Sequence, residues 1–327
     1  MISTSRLVHG IKRRATIQLN KIRPFPSEPP RCVIFLYHTV ENRPQPWTKG
    51  HRYVTTFNQF RTQIAYIKEH FELVSSTDLI RKLITKEFNR NTAAIHFDDG
   101  FLNYSDLVVP FLRKQQIHST VFLISSVLDG EIPIRNKLAF CLNSERRSYL
   151  LQTWQQMMDQ SEKGRVNFSR MGNTDILGWS KQAISEELEE VVESVYELCE
   201  KKEPHPFLDR ASALALKEEP YVEFGSHTFR HLMLSRLVCE QQRHEILEGH
   251  RNLEQFLGMK LMHFAYPHGG RAHFNETSEK IVREHDRMAA YSSYGGVNFE
   301  FCSTNIKRIS INNHSPKEIK LSVLAAL

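Results

Sequence analysis

From residue 32 onward, short apolar runs alternate with stretches that are apolar on one side only. CVIFLYH (Cys32–His38) is apolar at every second position on both faces, as in a strand covered on both sides. FNQFRTQIAYIKEHF follows, with Phe57, Phe60, Ile64 and Ile67 at helical spacing. FELVS, the helical TDLIRKLI, the strand AAIHF, the helical YSDLVVPFLRKQ and the strand STVFLI continue the alternation. YVEFGSH resumes it, and a helix from about Glu240 to Leu257 can end at Gly258. HFAYP, MAAYSS and KRISI read as later strands. SPKE predicts a capped helix start, with Ser315 as N-cap, Pro316 at the first helical position and Glu318 at the third. Strands alternating with helices predict a parallel sheet with helices outside, either open or closed into a barrel.

Two regions depart from this pattern. From about 130 to 216 the alternation stops, and RSYLLQTWQQMMDQ and AISEELEEVVESVYELCEKK are helical. That stretch reads as a helical insertion on a strand-to-helix loop. Residues 1–31 read as a basic N-terminal appendage to a single domain of residues 32–327. In the appendage Leu7, Ile11, Ala15 and Ile22 share one helical face, with Arg6, Lys12, Arg13, Arg14 and Lys21 elsewhere. RPFPSEPPR then stops any helix, because proline has no amide proton and clashes with the preceding turn. Two readings stay open for it: a helix packed on the body or a partner, and a basic helix lying on an anionic membrane.

Composition narrows the class. The 327 residues are 40% hydrophobic and 24% charged, as in soluble globular proteins. The net charge of +6 suits an anionic ligand or surface. No RNA- or DNA-binding motif accompanies it, so no nucleic-acid partner is expected. The five cysteines are scattered and never spaced C-x-x-C, which favours a reducing compartment over a disulfide framework. No apolar stretch approaches the ~20 residues that span a bilayer. The basic residues near the start are followed by ATIQLNKIRPFP rather than an uninterrupted apolar segment, so no secretory signal is read. The expected location is cytoplasmic, with membrane association through residues 1–31 as an added reading.

The chemistry concentrates at two strand ends. AIHFDDGF (Ala94–Phe101) places Asp98 and Asp99 side by side where a buried strand exits. Adjacent carboxylates repel, and burying them unpaired is costly. EFGSHTFRH holds His227 and His231 directly after another strand. On a first helical turn, positions four apart lie on one face and can take adjacent corners of one metal. In a parallel α/β fold the carboxyl ends of strands gather at one face. Asp99, His227 and His231 would then form a two-histidine, one-carboxylate set with open positions. A cation there offsets the carboxylate repulsion, and Asp98 is left to face the water side.

These residues resemble the polysaccharide deacetylase family, which includes chitin, peptidoglycan and NodB-type chitooligosaccharide deacetylases. HFDDG looks like the family's T-F-D-D-G, and HTFRH matches its H-[S/T]-x-x-H. FAYPHG resembles the F-A-Y-P-x-G element of a branch that also begins with a strand ending in Tyr-His, as FLYH does here. The likeness spans about 32–125 and 221–312. It implies a distorted (β/α) barrel of about seven strands, a divalent metal, usually zinc, and hydrolysis of an N-acetyl group on a sugar. By position it implies Asp99, His227 and His231 as metal ligands and Asp98 as general base. It assigns Tyr266, Pro267 and His268 to the substrate and oxyanion element, where the amide after the proline donates. Many members carry an arginine there that orients the base, but Ala265 holds that position here. Arg308, in IKRIS, is a candidate replacement. The family's D-x-x-D-W and late L-x-H motifs are absent, and in the Tyr-His branch the N-terminal histidine, here His38, is the proton donor.

Two other function classes are open to the same residues. One is a non-catalytic carbohydrate-binding protein, which would not need Asp98. The other is a glycosidase, whose two carboxylates must stand about 5–9.5 Å apart across the bond. The expected partner in every case is a carbohydrate, N-acetylated in the favoured reading, either polymeric or linked to a lipid or nucleotide.

Overall fold

The computed structural model describes residues 31–159, 166–183, 185–285 and 287–326, without the side chains of 182 and 183. The readings for residues 1–30 lie outside the described residues. Among the described residues there are eleven short strands: β1 (Cys32–Tyr37), β2 (Thr39–Glu41), β3 (Val54–Thr56), β4 (Glu72–Leu73), β5 (Thr92–Phe97), β6 (Ser119–Leu123), β7 (Val222–Ser226), β8 (His263–Ala265), β9 (Ala289–Ser292), β10 (Ile306–Lys307) and β11 (Ile309–Ser310). Nine form one parallel sheet in the order β10-β9-β8-β7-β6-β5-β1-β11, with β4 paired to the start of β5. The outermost members, β10 and β11, are neighbours in the chain, separated only by Arg308. The first pairs with Tyr291–Ser292 of β9 and the second with Phe35–Leu36 of β1. One segment therefore bridges the two edges and closes a (β/α) barrel of seven strand positions, the fold class that the alternation and the resemblance imply.

Every residue of β1, β5 and β6 is buried, as parallel strands covered on both faces require. Phe35, Tyr37, Ile95, Phe97, Val121 and Leu123 meet the outer helices, among them Phe60, Ile64 and Ile67 of the helix Phe57–His70. Their alternates Ile34, Ala94, Phe122 and Tyr291 fill the interior with Leu79, Ile80 and Leu83 of the helix Ser76–Thr85. Between β6 and β7 run helices Ile134–Leu142, Arg147–Asp159, Asn173–Ala183, Glu186–Glu197 and Arg210–Lys217. The first four pack around a separate apolar cluster that includes Trp154, Phe168, Val192 and Trp47.

Several local expectations shift. KRISI is two strands rather than one, because Arg308 turns inward where pairing changes from β9 to β1. YSDLVVPFLRK opens as a π turn over Tyr104–Val108, and the α-helix Val109–Lys114 follows with Pro110 near its start. Pro110 lacks the amide proton that a continuous α ladder needs at that point. The helix expected from Glu240 begins at Cys239 and includes a π turn over His244–Glu248 before ending at Gly258, as read.

Candidate active site

The register brings the predicted residues together. β1 pairs β5 with Tyr37 opposite Phe97, and the Asp98 amide donates to the Tyr37 carbonyl at 3.1 Å. His38 and Asp98 thus leave neighbouring strands at the same end. β6 pairs β7 with Leu123 opposite Ser226, and the His227 amide donates to the Leu123 carbonyl at 2.8 Å. One barrel mouth collects all four strand exits.

The backbone at this mouth is unusual. Asp99, Thr228, His231 and His268 all have positive φ, between 61° and 75°, although none is glycine. Such a conformation costs roughly 1–3 kcal/mol per residue and persists only where its surroundings enforce it. At Asp99 it turns the chain, so two consecutive carboxylates can serve one site. At Thr228 and His231 it replaces the helical turn expected for HTFRH. The two histidines meet across a looped backbone held by Ser125 and Ser126 amides donating to the Thr228 and Phe229 carbonyls at 3.0 Å. Gly249 passes directly behind this loop: a Cβ there would lie 2.5 Å from the Phe229 nitrogen.

Asp99, His227 and His231 lie with one donor atom each inside a 4.8 Å cluster. Asp99 Oδ1 stands 3.4 Å from His227 Nε2 and 3.3 Å from His231 Nε2. Neither contact has hydrogen-bond geometry, so this buried oxygen has no hydrogen-bond partner among the described residues. A zinc ion takes N and O donors at about 2.0–2.2 Å in a tetrahedron, which sets neighbouring donors about 3.4 Å apart. The donor set therefore fits a small divalent cation. His227 Nδ1 meets the Ala265 carbonyl at 2.8 Å, which assigns that nitrogen its proton and leaves Nε2 free to ligate.

Asp98 is held by a different partner. Arg308 Nη1 and Nη2 donate to its two carboxylate oxygens at 2.6 and 2.8 Å, and Arg308 Nε donates to the Ser292 carbonyl at 3.1 Å. Both side chains are buried. Burial alone would raise the Asp98 pKa, but the guanidinium and His227 outweigh it and hold the carboxyl below its ordinary value. The same burial pulls His227 down, yet Asp98 and Asp99 carry it above the usual histidine range. Burial brings His231 down to about 3 despite Asp99.

A cavity of about 480 Å³ opens over this centre, lined by His38, Asp99, His231 and His268 with residues from the helical stretch. His38 stacks on Tyr53, with ring centres 4.8 Å apart, and its buried Nδ1 has no hydrogen-bond partner among the described residues. Burial lowers its pKa against the opposing pull of Asp99 and Asp98. The His268 ring packs edge-on to His231 at 4.6 Å, and the same residue's amide has no hydrogen-bond partner among the described residues. Pro267 shapes the turn, its carbonyl accepting from the Gly269 amide at 2.7 Å. Tyr266 corrects the expectation for its side chain. The ring stacks on Phe274 at 3.9 Å and its hydroxyl donates to the Thr304 carbonyl, so it packs in the outer core rather than the cavity. Alternation across β8 explains this, since Ala265 faces inward and its neighbour outward. The cavity also contains Tyr53, Arg135 and Lys181, which local pattern did not single out. Their distance along the chain left no sequence signal.

No curated protein matches the chain. Solved structures of similar fold exist. The deacetylase PplD of Streptococcus pyogenes, in complex with acetate, superposes with a TM-score of 0.58 at 15% identity, covering 89% of this chain and 97% of its own. IcaB from Ammonifex degensii gives 0.59 at 16% identity, covering 91% and 98%. A polysaccharide deacetylase from Bacillus cereus gives 0.56 at 13% identity, covering 90% and 69%. At these identities the likeness speaks to the fold. The sequence profile of the polysaccharide deacetylase family matches residues 85–208 and 209–290. That span is well over half of the chain and runs through Asp98, Asp99, His227 and His231, so the chain belongs to the polysaccharide deacetylase family.

Proposed function

We propose that this protein is a metal-dependent hydrolase that removes the N-acetyl group from an N-acetylated sugar. One observation carries the reading beyond family membership. A buried carboxylate, Asp98, is fixed by a two-pronged arginine beside a second carboxylate that shares its free oxygen with two imidazoles. A site that only held a cation would need Asp99, His227 and His231. It would have no use for an ionised Asp98 desolvated at the cost of a buried arginine.

Asp99, His227 and His231 would hold the divalent cation, zinc by preference. When bound, such a cation lowers the pKa of water and polarises the acetyl carbonyl. Asp98 takes the proton of the attacking water, and Arg308 positions it and keeps it ionised. The His268 amide donates to the oxygen on which negative charge develops. The C–N bond then breaks, and the nitrogen needs a proton to leave as an amine. His38 supplies it, since an imidazole whose pKa burial has lowered is a strong acid once protonated. Acetate and a free amino sugar are the products, and the cycle closes when Asp98 releases the proton it took from water and His38 takes one up from solvent.

The test is acetate release from N-acetylated sugars by the zinc-loaded protein, with and without a chelator. Asp98→Asn should keep stoichiometric zinc and lose most of kcat. Chelator-insensitive acetate release would refute the metal requirement. Saturable sugar binding without acetate release from any N-acetylated sugar would favour a binding protein.

A further inference from the structure

The cavity above the Asp98–Asp99 centre is more cationic than removal of a neutral acetyl group requires. Arg135 and Lys181 both line it, and Asp99 is the only carboxylate among the lining residues. Arg135 Nη1 donates to Ser180 Oγ at 3.2 Å, and no carboxylate lies within ion-pair distance of Arg135 or Lys181 among the described residues. The contrast with Lys137, on the same helix as Arg135, is direct: that ammonium is neutralised by Glu193 at 2.5 Å.

Neither cation is needed to hold its own helix. The start of Ile134–Leu142 is pinned by Asn136 Nδ2 donating to the Trp47 carbonyl at 3.2 Å and to the Tyr53 hydroxyl at 3.1 Å. Thr174, Gly178 and Lys181 recur on one face of Asn173–Ala183 and turn it to the cavity. The helix bearing Arg135 has Pro133 as its N-cap, with no side-chain cap bond and no acidic residue in its first turn, so its positive end adds to the field. Burial and the nearby Arg135 together bring Lys181 down to about 8, with Asp99 opposing. Two desolvated like charges facing one space are unfavourable until an anion joins them.

We propose that Arg135 and Lys181 form a phosphate subsite next to the Asp98–Asp99 centre, so that the substrate is an N-acetylated sugar bearing a phosphate group. The proposal rests on the deacetylase reading above. A phosphate can occupy the planar fork of a guanidinium and the point charge of an ammonium at once, the two negative charges of a monoester balancing both and the single charge of a diester offsetting one. The cavity continues into a groove of about 930 Å³ that shares Arg135, Lys181, His231 and His268; further out its lining is mixed, with Ile132, Leu232 and Leu237 beside Arg230, Arg236 and five glutamates, so the phosphate's place is the inner cavity. The remainder of a sugar-linked phosphodiester, either nucleoside or lipid, would extend there.

The experiment compares acetate release by the zinc-loaded full chain from N-acetylglucosamine 1-phosphate and from methyl N-acetylglucosaminide. The phosphorylated sugar should be preferred by roughly 10²-fold in kcat/KM, about tenfold for each charge-assisted contact. Arg135→Gln and Lys181→Gln should each cut that preference about tenfold, chiefly through KM. Zinc stoichiometry and circular dichroism report folding, and Lys181→Gln alone decides the matter if Arg135→Gln fails to fold. Uridine-diphosphate-linked and polyprenyl-diphosphate-linked sugars, run in parallel, identify which source of the phosphate is preferred. Equal turnover of charged and neutral sugars, unchanged in Lys181→Gln, overturns the subsite and leaves the deacetylase intact. Acetate from none of them defeats the deacetylase reading instead. In that event calorimetric titration with inorganic phosphate judges the subsite: binding lost in the variants supports it, and binding absent or equal in all forms overturns it.

Discussion

Replacing Arg308 by methionine removes the group that holds Asp98 while roughly preserving side-chain volume. The guanidinium donates to both carboxylate oxygens at 2.6 and 2.8 Å, which puts the two charge centres about 4 Å apart. At an effective dielectric constant near 20, such a pair interacts by about 4 kcal/mol. Only part of that is lost on Asp98 in the variant, because His227 continues to favour the ionised form. The sign is determinate. In the proposed mechanism the base works ionised and Arg308 lowers its pKa, so removal should move the acid limb of kcat to higher pH. Below the shifted limb the variant should be nearly inactive, and above it much of the activity should return. Breaking one half of a buried pair also destabilises the fold by roughly 3–5 kcal/mol. Arg308→Lys keeps the charge without the fork and should move the limb less. The assay is acetate release from pH 4 to 9 at saturating zinc, with thermal unfolding measured on the same samples. A variant that melts earlier but keeps the original acid limb would show that Arg308 supports the barrel without tuning Asp98.

The ligands and the base should separate: Asp99→Ala, or the double variant His227→Ala, His231→Ala, should lose zinc affinity in a chelator competition titration, whereas Asp98→Asn should not. Normal zinc binding by the double variant would refute the ligand set. His38→Ala should bind zinc normally and lose roughly 10²–10⁴-fold in kcat, the usual worth of a positioned acid or base, with a changed alkaline limb. Near-normal kcat would remove His38 from the mechanism. Gly249→Ala would place a methyl 2.5 Å from the backbone at Thr228 and Phe229, so it should weaken zinc binding from outside the site and lower the melting temperature. An unchanged zinc affinity would mean that the loop carrying His227 and His231 yields freely.

The parts of this protein that could be read along the chain are those set by neighbours in sequence. The two periodicities named most strands and helices, because they record which side of an element is buried. The glycine stop at Gly258 and the Ser315–Glu318 capping box are equally local, and both appear as read. HFDDG and HTFRH were legible because each packs its chemistry into five consecutive residues. What the tertiary structure decided was how distant segments meet. Arg308 reaches Asp98 across 210 residues, and it can do so only because the last strand breaks in two to close the barrel. The family position for such an arginine is Ala265, so position in sequence pointed away from the group that supplies the contact. Tyr266 turned outward by strand alternation, and HTFRH took a left-handed loop where spacing alone suggested a helical turn. Arg135 and Lys181 look like ordinary surface charges of amphipathic helices. Whether such a charge meets a carboxylate, solvent or a cavity depends on where its helix packs, which no local pattern encodes.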